Sequence, residues 1–518
     1  MPATPVPDAD TDGYLFPAFD WLSGSGFIQH GGRDWLYPGF IAAVLKLSGS
    51  LGALVRIQQF LGLIAILITF VSFYLHLHGS SHRSPISMTA TALLMLVPLY
   101  FISLGTNELW IESAIRPEAV FTFVFSFLFL GITLSSLAFS SVLNRNFFVV
   151  GGVLTLCSSY FLLLLKPAWG LAFPLSFVPY FLFLFVRRFR SPSAHTLLLS
   201  SIFVVSLNFF PLILGFKHDR GSKDFLPFTL VSIHARQIST IGSSDDETTR
   251  FLADLTAALR NATPETDWDI LHLDGDFLLY KTPFFEQERQ RLGLSPDRFR
   301  SLCYSVYFQT WLRRPVLMAE KVGDQLAAFL CDGQQFLCEN IGTDKARDLV
   351  RLACLNTPSP SPFDQSFVKR IYEDWTEQLN RNRDLKLPSL SLIRWFSHRL
   401  RSISLPLQLT VLFATLCSCV LVWRWVYRSG NSADHPPANE RTLLSSAFVV
   451  ATLTTVIYGC AMTVAISHSF DEERYYITLG IPLSVLSVRS LSLLCELIFL
   501  TIRNGRVTKL DRTVGAQH

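Results

Sequence analysis

Nine apolar stretches, each close to the roughly 20 residues that carry an α-helix across a bilayer, leave this chain few ways to fold. They lie near Ile57–Leu77, Ile86–Leu104, Ala119–Ser140, Phe147–Leu165, Ala168–Val186, Thr196–Phe216, Leu405–Val426, Leu443–Ile466 and Tyr475–Ile502. Hydrocarbon offers no partner to a backbone N–H or C=O, so each stretch is expected to be helical. Phe40–Leu47 is too short to cross and is expected to lie in the interface or to enter and leave on one side. Composition agrees, with 50% hydrophobic residues, 44 Phe and 16% charged residues, against about a quarter charged in a soluble domain. Mean hydropathy is +0.36. The expected fold is an all-α polytopic membrane protein of about nine transmembrane helices. A net charge of +4 gives no support for nucleic-acid binding. Met1–Asp12 is Pro-rich and acidic, without the apolar core of a signal peptide.

Lys and Arg in the short loops orient the chain. Arg83, Arg145, the Arg187/Arg188/Arg190 group and the Arg424–Arg441 connection fall on one side under this count, as does the tail from Arg503 to Arg512. That side is read as cytoplasmic. Residues 1–56 then form an extracytoplasmic acidic loop with an interfacial helix, and residues 57–216 hold six spans. Residues 217–404 form an extracytoplasmic soluble domain, 405–502 hold three further spans, and 503–518 are a basic cytoplasmic tail. With the chain starting outside, either a further first helix precedes it or the N-terminus is translocated unaided.

The segment Lys217–Ser404 is large enough for a core of its own, and Phe251, Leu252, Leu255 and Leu259 recur at helical spacing. Tyr304–Leu330 reads as a helix interrupted at Pro315, with a Tyr, Trp and Arg mixture suited to a membrane surface or to packing within the domain. Leu392–Ile403 carries Trp395 and Phe396 among Arg394, Arg399 and Arg401, a basic amphipathic pattern that favours anionic headgroups. Cys303, Cys331, Cys338 and Cys354 also fall here. In an oxidising compartment they allow two disulfides in three connectivities; buried free thiols are the competing expectation. Cys157, Cys417, Cys419, Cys460 and Cys495 fall within spans, as small apolar fillers.

The stretch Pro7–Phe40, broken by Pro and Gly, reads as a loop that brings Asp8, Asp10 and Asp12 to the outer surface. Ionisable residues gather at the same surface: Arg116-Pro117-Glu118 before the third span, the Lys166-Pro167 turn, and Arg474-Tyr475 at the start of the last span. Charges at a membrane boundary are costly and usually have a role. Three cations on one surface suit a phosphate or pyrophosphate headgroup. Snorkelling or structural ion pairs would account for each singly. No zinc-type Cys/His spacing, P-loop, GxSxG or HExxH occurs.

Several of these motifs together resemble the opening of bacterial polytopic glycosyltransferases. They are Asp10-Thr11-Asp12-Gly13-Tyr14-Leu15, Gly26-Phe27, Gly32-Arg33, Tyr37-Pro38-Gly39-Phe40 and Gln58-Gln59-Phe60-Leu61-Gly62. The likeness is to GT-C enzymes related to the dolichyl-phosphate-mannose protein mannosyltransferase and aminoarabinose transferase families. Arg116-Pro117-Glu118 and Arg474-Tyr475 are similar to elements of such chains. The likeness covers the first 120 residues and the last span, and does not extend to Lys217–Ser404. Those families carry a first helix before the acidic loop.

The resemblance implies an enzyme of the bacterial inner membrane that moves a sugar from a polyprenyl-phosphate donor to a glycan, lipid or protein acceptor outside. Asp10 aligns with the loop carboxylate that serves as general base, and it stands four residues before Tyr14. Arg116, Lys166 and Arg474 are the implied cations for the leaving phosphate, with Asp12, Tyr14, Arg33, Tyr37, Glu118 and Tyr475 as further substrate contacts. No cofactor is required; Asp10-Thr11-Asp12 has the D-x-D spacing able to hold a divalent cation. Two other readings fit a chain of this composition. One is a lipid-linked oligosaccharide polymerase or ligase. The other is a transporter or flippase without enzymatic activity, which expects charges at mid-membrane and broken helices.

Overall fold

The computed structural model describes residues 5, 11–28, 34–80, 85–105, 114–139, 145–186, 189–213, 225–242, 245–261, 278–279, 282–327, 330, 365–381, 404–431, 438–467 and 472–515. These residues are almost all helical. Seven helices among them are long and apolar enough to cross a bilayer: Leu51–His78, Glu118–Leu137, Asn146–Leu165, Arg190–Pro211, Leu405–Tyr427, Glu440–Ser467 and Leu479–Ile502. They belong to α3 (Leu51–Ser80), α5 (Glu118–Leu137), α6 (Arg145–Leu165), α9 (Arg190–Ile213), α17 (Ser404–Asn431), α18 (Ala438–Ser467) and α19 (Glu472–Gly515). Between α3 and α5, α4 (Pro85–Gly105) is a helix where Ile86–Leu104 was expected. The protein is an all-α membrane protein, as the apolar runs require. On α3, Phe60, Leu63 and Leu67 are well exposed at helical spacing, the lipid-facing stripe of a span.

The expected span Ala168–Val186 is not one helix. It divides into a 3₁₀ turn at Pro167–Trp169, α7 (Ala172–Ser176) and α8 (Val178–Phe183). Pro167, Pro174 and Pro179 each remove a backbone donor, and repeated loss of i→i−4 bonds prevents one continuous ladder. Beside it, α5 and α6 cross at small residues. A Cβ on Gly131 would stand 2.7 Å from the Gly151 carbonyl, and one on Gly151 would stand 2.5 Å from the Gly131 carbonyl. The backbones therefore touch, which is how membrane helices gain packing without a hydrophobic drive.

The stretch Pro7–Phe40 is also not a loop throughout. Thr11–Leu22 forms α1 and Leu36–Ser48 forms α2, with Pro17 inside the first. Asp12 in the first turn of α1 favours the positive end of the helix dipole, and Tyr14, Leu15, Ala18 and Phe19 bury one face at helical spacing. The second helix, 13 residues long, contains Phe40–Leu47.

The described helices of residues 217–404 pack in more than one place. Helices α10 (Phe225–Ile233), α11 (Ala235–Ile238), α12 (Asp246–Asn261), α13 (Phe284–Arg291) and α14 (Pro296–Arg313) enclose a separate core that includes Val231, Phe251, Leu255, Phe299 and Val306. The helix break expected at Pro315 is present, and α15 (Pro315–Ala327) follows it. Helix α16 (Ser366–Arg381) packs elsewhere. Its Val368, Ile371, Tyr372 and Trp375 join the core of the membrane helices and α1. Trp375 Nε1 donates to the Pro5 carbonyl at 3.1 Å, and Gln365 Nε2 to the Ser23 carbonyl at 2.6 Å. The amphipathic segment Leu392–Ile403 lies outside the described residues.

Cys303 is a buried free thiol inside the separate core, so the two-disulfide pattern is not formed; Cys331, Cys338 and Cys354 lie outside the described residues. Burial holds the Cys303 thiol above its usual range, which keeps it protonated and unreactive. Peptide mapping after alkylation under denaturing, non-reducing conditions is expected to recover Cys303 as a free thiol. Recovery in a disulfide would contradict this packing.

Candidate functional site

Two X–Pro sequences shape the site. The residue before a proline is pushed to extended backbone, and Lys166 at φ −143°, ψ 113° ends α6 as it does so. At the start of α5, Pro117 caps the helix and places Glu118 in the first turn, where a carboxylate suits the helix dipole. The consequence is a contact across 48 residues of sequence: Lys166 Nζ donates to Glu118 Oε1 at 2.5 Å, with both side chains buried. Arg116 Nη1 stands 3.9 Å from the same oxygen and is the more open of the three, at 13% exposure. Glu118 Oε2 is buried and meets no donor among the described residues.

Tyr37, in the first turn of α2, adds a second layer. Its hydroxyl donates to Gln58 Oε1 at 2.7 Å, and Gln58 Nε2 donates to the Ala114 carbonyl at 3.0 Å. The Tyr37 oxygen also accepts from the Arg116 backbone N–H. Burial first, and then the Glu118 charge, hold this phenol well above its usual range, so it stays neutral and donates. Tyr14 of α1 meets the Tyr37 ring edge-on, with centroids 5.2 Å apart. Trp169, just past Lys166, packs edge-on against Phe121 at 5.4 Å, and its Nε1 donates to Ser159 Oγ at 3.0 Å. The structure therefore brings Tyr14, Tyr37, Arg116, Glu118 and Lys166 close together.

Asp12 lies half a turn before Tyr14 on α1. Burial and then the Asp12 charge push the Tyr372 phenol up to about 12, so α16 sits over the acidic start of α1. Tyr372 also meets Phe19 with centroids 6.5 Å apart. Asp8, Asp10 and Arg33 lie outside the described residues. Arg474 and Tyr475 fall in the first turns of α19, with side chains outside the described set. Among the described residues, no group of His, Cys, Asp and Glu is placed to hold a metal ion.

The sequence reading missed Gln58, Trp169 and Tyr372 as site residues. Gln58 carried a signal, an amide inside an otherwise apolar run, where an unpaired polar group is costly. Tyr372 carried none, because the helix that bears it is polar and distant in sequence.

A second polar group lies deeper along α3, shared with α18 and α19. Arg489 of α19, fully buried, points Nη2 at His76 Nε2 of α3, 2.5 Å away. Ser446 Oγ of α18 lies 3.1 Å from that nitrogen and donates to Glu496 Oε2 at 2.7 Å. His76 stands 18 residues beyond Gln58 along α3, about 27 Å at the helical rise, so the two polar groups lie at different depths along that helix. Comparison with known proteins finds no family model, no curated protein and no solved structure that matches this chain.

Proposed function

We propose that the protein is a membrane glycosyltransferase of the GT-C type that moves a sugar from a polyprenyl-phosphate donor to an acceptor at the outer membrane face. The observation that supports this reading most is the meeting of Arg116, Lys166 and Glu118 at the end of two spans. Arg116, the more open of the three, is the cation placed to meet a leaving phosphate. Lys166, buried on Glu118, sets the position of that carboxylate. Tyr37, kept neutral, presents a fixed hydroxyl within the same layer.

Attack at an anomeric carbon needs the acceptor proton removed as the new bond forms, and Asp10, next to the start of α1, is assigned that role. The phosphate leaves toward Arg116, with Arg474 as a second candidate cation. No metal is needed for either step. Radiolabelled sugar supplied on a polyprenyl phosphate to membranes containing the protein is expected to pass to an endogenous acceptor. Membranes lacking the protein should show none, and equal labelling in both would end this reading.

The Arg489–His76–Ser446–Glu496 group favours a second reading, a lipid or solute transporter, because ionisable residues inside spans mark transport paths. Sealed vesicles separate the two: a transporter moves its substrate across the bilayer with the sugar–phosphate bond intact. The proposed orientation has its own check. A cysteine substituted for the exposed Ser301 is expected to react with an impermeant maleimide in intact cells, and protection until lysis would reverse the topology.

A further inference from the structure

Helices α14 and α15 meet at Arg314, whose φ of −134° and ψ of 53° break the helix before Pro315. The inner side of this elbow is packed. Tyr307 and Met318 are buried with Leu230, and Tyr304, Trp311 and Ile466 close around them. Ile466 belongs to the last turn of α18, in the span that ends at Ser467. The elbow is therefore fixed to the end of a membrane-crossing helix.

Its other side is apolar and uncovered. Phe308, Leu312 and Val316 are 57%, 83% and 77% exposed. Phe308 and Leu312 stand one turn apart on α14, so with Val316 just past the break they make one tip. Arg313 and Arg314 flank that tip, both exposed, and Arg313 Nη1 donates to the Gly242 carbonyl. Three large apolar side chains in water beside a bilayer are placed at a cost that entry into the bilayer removes. Tyr304 and Trp311, on the packed side of the elbow, match the composition of a membrane boundary, and arginine stems can lie along lipid while their heads meet phosphates.

We propose that the elbow of Phe308, Leu312, Arg313, Arg314 and Val316 inserts into the membrane interface beside α18 and prefers anionic phospholipid there. The insertion rests on α18 being a span, and not on any catalytic reading. It anchors the separately cored helices α10–α14 to the membrane surface at a second point, apart from the chain connections.

Photo-crosslinking tests this with the full chain. Benzoylphenylalanine is placed at Leu312, at Val316 or, as a control on α14, at the exposed Ser301. Each protein is held in nanodiscs of equal phosphatidylglycerol and phosphatidylcholine and irradiated. The expected result is a shift of intact mass by one lipid at Leu312 and Val316, absent at Ser301, with phosphatidylglycerol adducts in excess. Equal adducts of the two lipids would overturn the anionic preference. A covalent dimer would make a second copy the occupant, and no adduct at either position would leave the tip in water; both overturn the insertion. Because all three positions are exposed, the substitutions do not disturb a core, and the position of each protein in size-exclusion chromatography verifies this.

Discussion

Asp10→Asn is expected to lower sugar transfer by about 10²–10⁴ at matched membrane abundance, the usual cost of losing a general base. The amide keeps the shape of the carboxylate and cannot accept the acceptor's proton. Asp8→Asn should have little effect, since it lacks the four-residue spacing to Tyr14. Asp12 provides the internal comparison. It sits in the first turn of α1 and its charge is felt by Tyr372, so Asp12→Asn should alter the packing of α16 on α1 as well as any substrate contact. Arg474→Ala should raise the donor concentration needed and slow turnover. Transfer assays on these variants discriminate among the roles, and near-normal transfer by Asp10→Asn would sink the assignment of the base.

The second large effect is at Lys166. Replacing it with Met leaves the Glu118 carboxylate buried without its nearest cation, and breaking a buried pair in this way costs about 3–5 kcal/mol. A marked fall in the thermal midpoint of the detergent-solubilised protein is expected, together with loss of transfer. The pair variant Glu118→Leu with Lys166→Met separates structure from function. Removing both charges and filling the space with apolar side chains should restore most of the stability, because the desolvation cost disappears with the pair. Transfer should remain lost. A pair variant that is both stable and active would show that Glu118 and Lys166 serve packing alone.

The membrane class was legible because length and hydropathy constrain a span regardless of what surrounds it. Pro315 likewise marked a helix break that is present, since its missing N–H acts locally. The segment after Lys166 was misread because hydropathy averages over a window and is blind to Pro167, Pro174 and Pro179, which divide one apolar run into three pieces. The start of the chain was misread in the opposite sense. Gly and Pro suggested a loop, yet α1 forms because tertiary contacts bury Tyr14, Leu15 and Phe19. Local signals of that kind are weak when a neighbouring helix can bury one face.

The sequence by itself determined that the chain crosses a membrane, and it set out the charged groups at the ends of its spans, because both follow from the cost of placing apolar or ionised groups in the wrong solvent. Which of those groups meet was decided by the tertiary structure alone. Lys166 reaches Glu118 because α5 and α6 approach at Gly131 and Gly151. Helix α16, more than 300 residues beyond α1, covers it because its Tyr372 and Trp375 are buried in the membrane-helix core instead of the core of α10–α14. No local pattern encodes either meeting, since each depends on how separate helices share one buried surface.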